Sequence, residues 1–150
     1  MEGNSTEKQV LTTEIKRVNQ NIHFLGTAGS NKPISIDYTP PIGDGLGYTS
    51  LELLLLSLSS CVGSSVSLLL KKMNKTITDL NITANGTRRT EHPTGFEKIV
   101  LNIAITSNDV DNNAMDRALK LSEESICPVW AHLKNGVEIE INYSIKVTVQ

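Results

Sequence analysis

Residues 51–70, LELLLLSLSSCVGSSVSLLL, constrain this chain more than any other stretch: they are leucine, valine, serine and small residues, with Cys61 near the middle. Thr49-Ser50-Leu51-Glu52 has the form of a capping box, in which the threonine oxygen takes the Glu52 amide and the glutamate reaches back to the threonine amide. Lys71, Lys72 and Lys75 follow the run, where ammonium groups face the negative end of a helix dipole, and Asn74 can supply a left-handed terminal residue. One helix from about Thr49 to about Met73 is predicted. Leucines at 51, 53, 54, 55, 56, 58, 68, 69 and 70 cover its whole circumference, so it has no broad solvent face and must be enclosed by protein. Ser59, Ser60, Cys61, Gly63, Ser64 and Ser65 are small enough to let another backbone come close. Glu52, six serines and the lack of a positively charged flank ahead of the run argue against a membrane span.

A chain of 150 residues can bury about two thirds of its unfolded surface, so residues 1–150 are expected to form one domain around one core. The formal charge of -2 offers no basic field for nucleic acid or for an acidic membrane. Residues 1–8 are polar and mixed in charge, without the apolar core of a signal peptide, and a cytoplasmic protein is expected.

Ahead of the long helix, residues 10–18 alternate weakly and residues 22–25 are a short apolar run, with hairpin-turn character in Asn19-Gln20-Asn21 between them. Ala28-Gly29-Ser30-Asn31 makes a second turn before an edge-type strand over residues 33–37, with Ile34 and Ile36 facing one way. Residues 39–47 carry Pro40-Pro41 and three glycines and read as a connecting loop. The glycines do not make a phosphate cradle, because prolines stand where the dinucleotide fingerprint needs a strand.

After the helix, Leu80, Ile82 and Ala84 alternate with polar residues, as do Ile99, Leu101, Ile103 and Ile105 beyond a loop over residues 88–95: a hairpin with one buried face. Asp109 or Asp111 can cap a helix that runs to about Ser125 and aligns Met115, Ala118, Leu119, Ser122 and Ile126 on one face. Apolar residues at every second position from Val137 to Val149 predict a closing strand, apolar on one side only. Three strands, helix, two strands, helix, strand is an α+β order. One small sheet covers only one side of a helix that is apolar all round, and a dimer that encloses the helix solves that problem.

Two cysteines are too few for a secreted disulfide framework, and they lack ligand spacing to His23, His92 or His132 for a metal, so a redox pair or two inert core thiols remain. In Cys127-Pro128-Val129-Trp130 the proline suits the first position of a new short helix, making Cys127 its cap residue, with helix amides aimed at the sulfur and favouring the thiolate. Cys61 sits three turns into its helix, where all amides are used, so any thiolate stabilisation there needs a cation from another segment, for example Arg17. Trp130 is most simply core, although it can wall an apolar pocket.

Residues 52–61, ELLLLSLSSC, resemble the helix signature of the OsmC/Ohr family, and Ser125-Ile126-Cys127-Pro128-Val129 resembles its second cysteine segment; the likeness in element order spans nearly the whole chain. The resemblance implies the OsmC-like fold, antiparallel sheets packed around a long central buried helix in an intertwined homodimer, with two active sites at the subunit interface. It implies reduction of organic hydroperoxides, a role in oxidative-stress defence, with Cys61 attacking the peroxide and Cys127 resolving the sulfenic acid as a disulfide. An external dithiol, lipoyl-linked in some members, then reduces that disulfide, and neither a metal nor an organic cofactor is called for. Hydroperoxide reductases of the family pair the reactive cysteine with an N-terminal arginine, for which Arg17 is the best-placed candidate, and with a glutamate ten residues before the cysteine. Leu51 holds that position here and Glu52 stands nine before. On a continuous helix nine residues are about 900° of rotation and ~13.5 Å along the axis, so Glu52 faces away from Cys61 of its own chain. The alternative readings are a non-catalytic dimer that binds a small apolar ligand at the interface pocket, and a structural dimer whose cysteines are only packed.

Overall fold

The computed structural model describes residues 7–148. They divide into two compact units, with the division between Glu52 and Leu53.

In the first unit β1 (Thr13–Arg17), β2 (Phe24–Ala28) and β3 (Ile34–Ile36) form an antiparallel sheet in the order β1-β2-β3, with Arg17 opposite Phe24 and Phe24 opposite Ile36. The second strand begins two residues later than the apolar run suggests. Asn19 is the reason: its side-chain oxygen accepts the amides of Asn21 and His23, and the Val18 N–H donates to the His23 carbonyl, which draws residues 22 and 23 into the turn. β3 is an edge strand, as its pattern predicts.

The loop after β3 is wound around Asp37, which the sequence reading passed over. Its carboxylate is buried and accepts the backbone N–H groups of Tyr38 (2.7 Å), Asp44 (3.2 Å) and Leu46 (3.2 Å). Burial raises the Asp37 pKa, but the three amides, with His23 nearby, outweigh it and hold the carboxyl below its ordinary value. Amides of the glycine-rich loop thus serve an internal carboxylate, in keeping with a connecting loop.

Helix α1 (Ser50–Lys72) starts on the predicted capping box: the Glu52 N–H donates to Thr49 Oγ1 (3.2 Å) and the Thr49 N–H to Glu52 Oε1 (2.8 Å). It ends in a Schellman motif, with Asn74 left-handed at φ 60°, the Asn74 N–H on the Lys71 carbonyl and the Lys75 N–H on the Leu70 carbonyl.

In the second unit β4 (Asp79–Arg88) and β5 (Phe96–Thr106) form the expected antiparallel hairpin, and β6 (Glu138–Lys146) lies on the far side of β5. β6 runs parallel to β5, from Lys98 opposite Glu138 to Thr106 opposite Lys146, which corrects the expectation of antiparallel sheets throughout. The cause is the connection: a helical segment separates the two strands, and such a crossover returns the chain in the same direction. Register places Ile82, Ile103 and Tyr143 side by side, and Ala84, Leu101 and Ile141 likewise, so the three strands share one apolar face. Ile99, Leu101, Ile103 and Ile105 of the central strand are buried there. The closing strand ends at Lys146, Val147 is exposed, and Val149 lies outside the described residues.

Asp111 is the cap of α2 (Asn112–Leu121), its side chain accepting the Ala114 N–H at 2.8 Å. Asp109 instead accepts the Thr76 N–H. The helix does not continue regularly to Ser125. It widens into a π turn, Ser122–Ile126, in which the Cys127 N–H reaches back five residues to the Ser122 carbonyl (2.9 Å). The extra residue rotates Ile126 off the buried face of Ala114, Met115, Ala118 and Ser122 and leaves it exposed. A short helix α3 (Pro128–Leu133) follows.

The one-sided cover expected of a small sheet is found at α1. Leu58, Val62, Val66, Leu69 and Leu70 are buried, and Gly63 lets Ile82 and Leu80 of β4 come close. The opposite row at four-residue spacing, Leu56, Ser60, Ser64 and Leu68, is open, with Leu56 51% and Leu68 58% exposed. The helix is therefore buried on one side only within a single chain, because a three-stranded sheet meets only one side of a cylinder.

Candidate active site

Cys61 and Cys127, separated by 66 residues, meet sulfur to sulfur at 2.7 Å as free thiols, with the Cys127 S–H donating to Cys61 Sγ. A disulfide needs α-carbons within about 7 Å and a bond of about 2.05 Å, so only a small approach separates this pair from a bond.

Local sequence chemistry builds each half. Cys61 lies in the small-residue segment of α1, half-buried, and its carbonyl accepts the hydroxyl of buried Ser65 at 2.8 Å. Cys127 is 2% exposed. Pro128 keeps it out of helical geometry, at φ -85° and ψ 104°, as the residue before a proline prefers. From there it caps α3, its sulfur accepting the Trp130 N–H at 3.4 Å. The capping role is as predicted, but the expected stabilisation of a Cys127 thiolate is not found. Burial pushes the Cys127 thiol up to about 11, the bond to Cys61 adds to that, and the amides of Trp130 and Val129 offset only part of it. Cys127 is thus a protonated thiol at neutral pH. Trp130 is buried core.

The other two candidates are occupied differently. The Glu52 carboxylate is held by its bonds to Thr49, which lower its pKa, and helix geometry turns it away from Cys61 of the same chain. Arg17 ends β1 in the first unit as an exposed side chain. The feature that sequence reasoning missed is the π turn that follows buried Ser122. Its one trace in the sequence is that the apolar pattern reaches Ile126 while the cysteine stands one residue later.

On the open side of α1, Leu56, Ser60, Ser64 and Leu68 together with Leu80 and Ile82 of β4 line a groove of ≈ 710 Å³. Small hydroxyl side chains lie between the leucines there.

Comparison with known proteins identifies the family and agrees with the fold. The sequence profile of the OsmC-like proteins matches residues 43–142, which include both cysteines. Protein YhfA of Escherichia coli is 29% identical over 126 residues, 84% of this chain and 92% of that protein. The crystal structure of a hypothetical protein from Aquifex aeolicus superposes with a TM-score of 0.83 at 30% identity, covering 95% of this chain and 100% of that one. An organic hydroperoxide resistance protein OsmC from Legionella pneumophila shares the fold, with a TM-score of 0.71 at 14% identity over 93% of this chain and 99% of that one. The chain belongs to the OsmC-like family.

Proposed function

We propose that this chain is a thiol-dependent hydroperoxide reductase, with Cys61 as the peroxide-attacking residue and Cys127 as the resolving one. The observation that carries the reading is the 2.7 Å approach of two free thiols 66 residues apart, which core packing of small side chains does not require. Their unlike settings support the order of events, since Cys61 is half-buried while Cys127 is enclosed and held protonated. The Cys61 thiolate attacks the distal oxygen of R–O–OH, the O–O bond breaks, and Cys61 becomes a sulfenic acid as the alkoxide takes a proton to leave as alcohol. Cys127 then attacks the Cys61 sulfur, its proton and the departing hydroxide leave as water, and a disulfide forms. An external dithiol, lipoyl-linked by family analogy, returns the pair to thiols and is itself oxidised to a disulfide. That chemistry belongs in a reducing compartment, and we assign the protein to the cytoplasm on that ground.

The test is stoichiometric. One equivalent of cumene hydroperoxide should remove both thiols of the pure protein. Two free thiols and no sulfenic adduct would favour instead a non-catalytic dimer that holds a small apolar ligand.

The active unit in this reading is a homodimer, because the row Leu56, Ser60, Ser64, Leu68 leaves two leucines half exposed beside half-buried Leu80 and Ile82. Light scattering should give twice the 16.4 kDa chain mass at micromolar concentration. A folded monomer under those conditions would contradict this assignment.

A further inference from the structure

The α2 segment carries two registers in its sequence. In an uninterrupted α-helix Ile126, four residues after Ser122, continues the buried face of Met115, Ala118 and Ser122, and Cys127 points about 100° away. The structure adopts the other register: the Cys127 N–H takes the Ser122 carbonyl across five residues at 2.9 Å, Ile126 is 47% exposed, and Cys127 Sγ reaches Cys61 Sγ. Burying Ile126 favours the narrow turn, so something must hold the wide one open.

The geometry points to Ser122 as the positioning residue for Cys127. Ser122 is fully buried, and its hydroxyl donates to the Ala118 carbonyl at 2.8 Å, the acceptor its own N–H already shares with the Leu119 carbonyl. A serine hydroxyl on the carbonyl four residues back competes with the backbone ladder and bends or loosens the helix at that point. Loosening there lets the following turn take in the extra residue. Pro128 then stops the helix directly after Cys127, so the cysteine is delivered at the end of the wide turn. With the turn narrowed, Cys127 would rotate by about 100° and shift ~1.5 Å along the axis, enough to part the sulfurs.

The purpose of this device rests on the hydroperoxide-reductase reading, but its test does not need a peroxide. The equilibrium constant of the Cys61–Cys127 disulfide is measured by mass spectrometry in glutathione buffers, for the wild type, Ser122→Ala, Ile126→Asp and the double variant. Ser122→Ala should lower the constant at least tenfold. Adding Ile126→Asp should restore most of it, because an aspartate penalises the narrow register that buries position 126 and is tolerated in the wide one, where that position faces solvent. Ile126→Asp alone should leave the constant at or above the wild-type value, which keeps the inference testable should Ser122→Ala fail to fold. An unchanged constant in Ser122→Ala, a loss that Ile126→Asp does not reverse, or a loss in Ile126→Asp alone would each overturn it. A wild type that forms the disulfide from glutathione but ignores hydroperoxide would sink the reductase reading and leave this one standing.

Discussion

Cys61→Ser should reduce hydroperoxide consumption to the uncatalysed background, whereas Cys127→Ser should still consume one equivalent and stop at the sulfenic or a higher acid. The asymmetry follows from the two environments. Cys127 is enclosed and its thiol is pushed up to about 11, so at neutral pH it offers almost no thiolate to a peroxide, and Cys61 alone can begin the reaction. Once Cys61 is a sulfenic acid, the nearest partner is Cys127 Sγ, 2.7 Å away before any movement. Removing that partner leaves the sulfenic acid waiting, open to a second peroxide. Substrate consumption and intact mass for the two variants separate the roles. Equal residual activity in both would remove the distinction between attacking and resolving thiols.

Gly63→Leu should destabilise the protein and disturb the paired thiols from a position away from the sulfurs. A β-carbon at Gly63 would meet Ile82 Cδ1 at 3.2 Å and Leu80 Cδ2 at 3.5 Å, so alanine needs only a small adjustment while leucine must push α1 off β4. Overpacking of this kind costs about 2–3 kcal/mol. For a chain of this length that corresponds to a Tm lower by roughly 5–10 °C. Because Cys61 is two residues away on the same helix, the displacement should also slow disulfide closure, and Gly63→Ala should show little of either effect. Calorimetry with a thiol-closure assay is the check; a normal Tm in Gly63→Leu would mean that the small-residue segment does not set the α1–β4 spacing.

Signals that act over one or two turns were legible in the sequence. The capping box at Thr49, the left-handed Asn74, the Asp111 cap, the alternation in β4, β5 and β6 and the cap at Cys127 each depend on neighbours within a few positions, and each is found. What the residues could not give was decided by partners distant in the chain. The parallel course of β6 depends on where the crossover lands. The role of Asp37 depends on loop amides seven and nine residues further on, which close on its carboxylate. The high proton affinity of Cys127 arises from burial and from Cys61, both invisible in its local context, while the amides that were visible act in the opposite direction and lose. The π turn was hidden because its sequence satisfies the α-helical pattern through Ile126, and only the demand that Cys127 reach Cys61 exposes the mismatch.

The most direct measurement is peptide mass spectrometry of the wild-type protein after one equivalent of tert-butyl hydroperoxide, with free thiols blocked at quench. The account predicts a single cross-link between the peptides that carry Cys61 and Cys127, formed in proportion to the peroxide consumed. Both peptides recovered with blocked free thiols, and the peroxide still in solution, would contradict it.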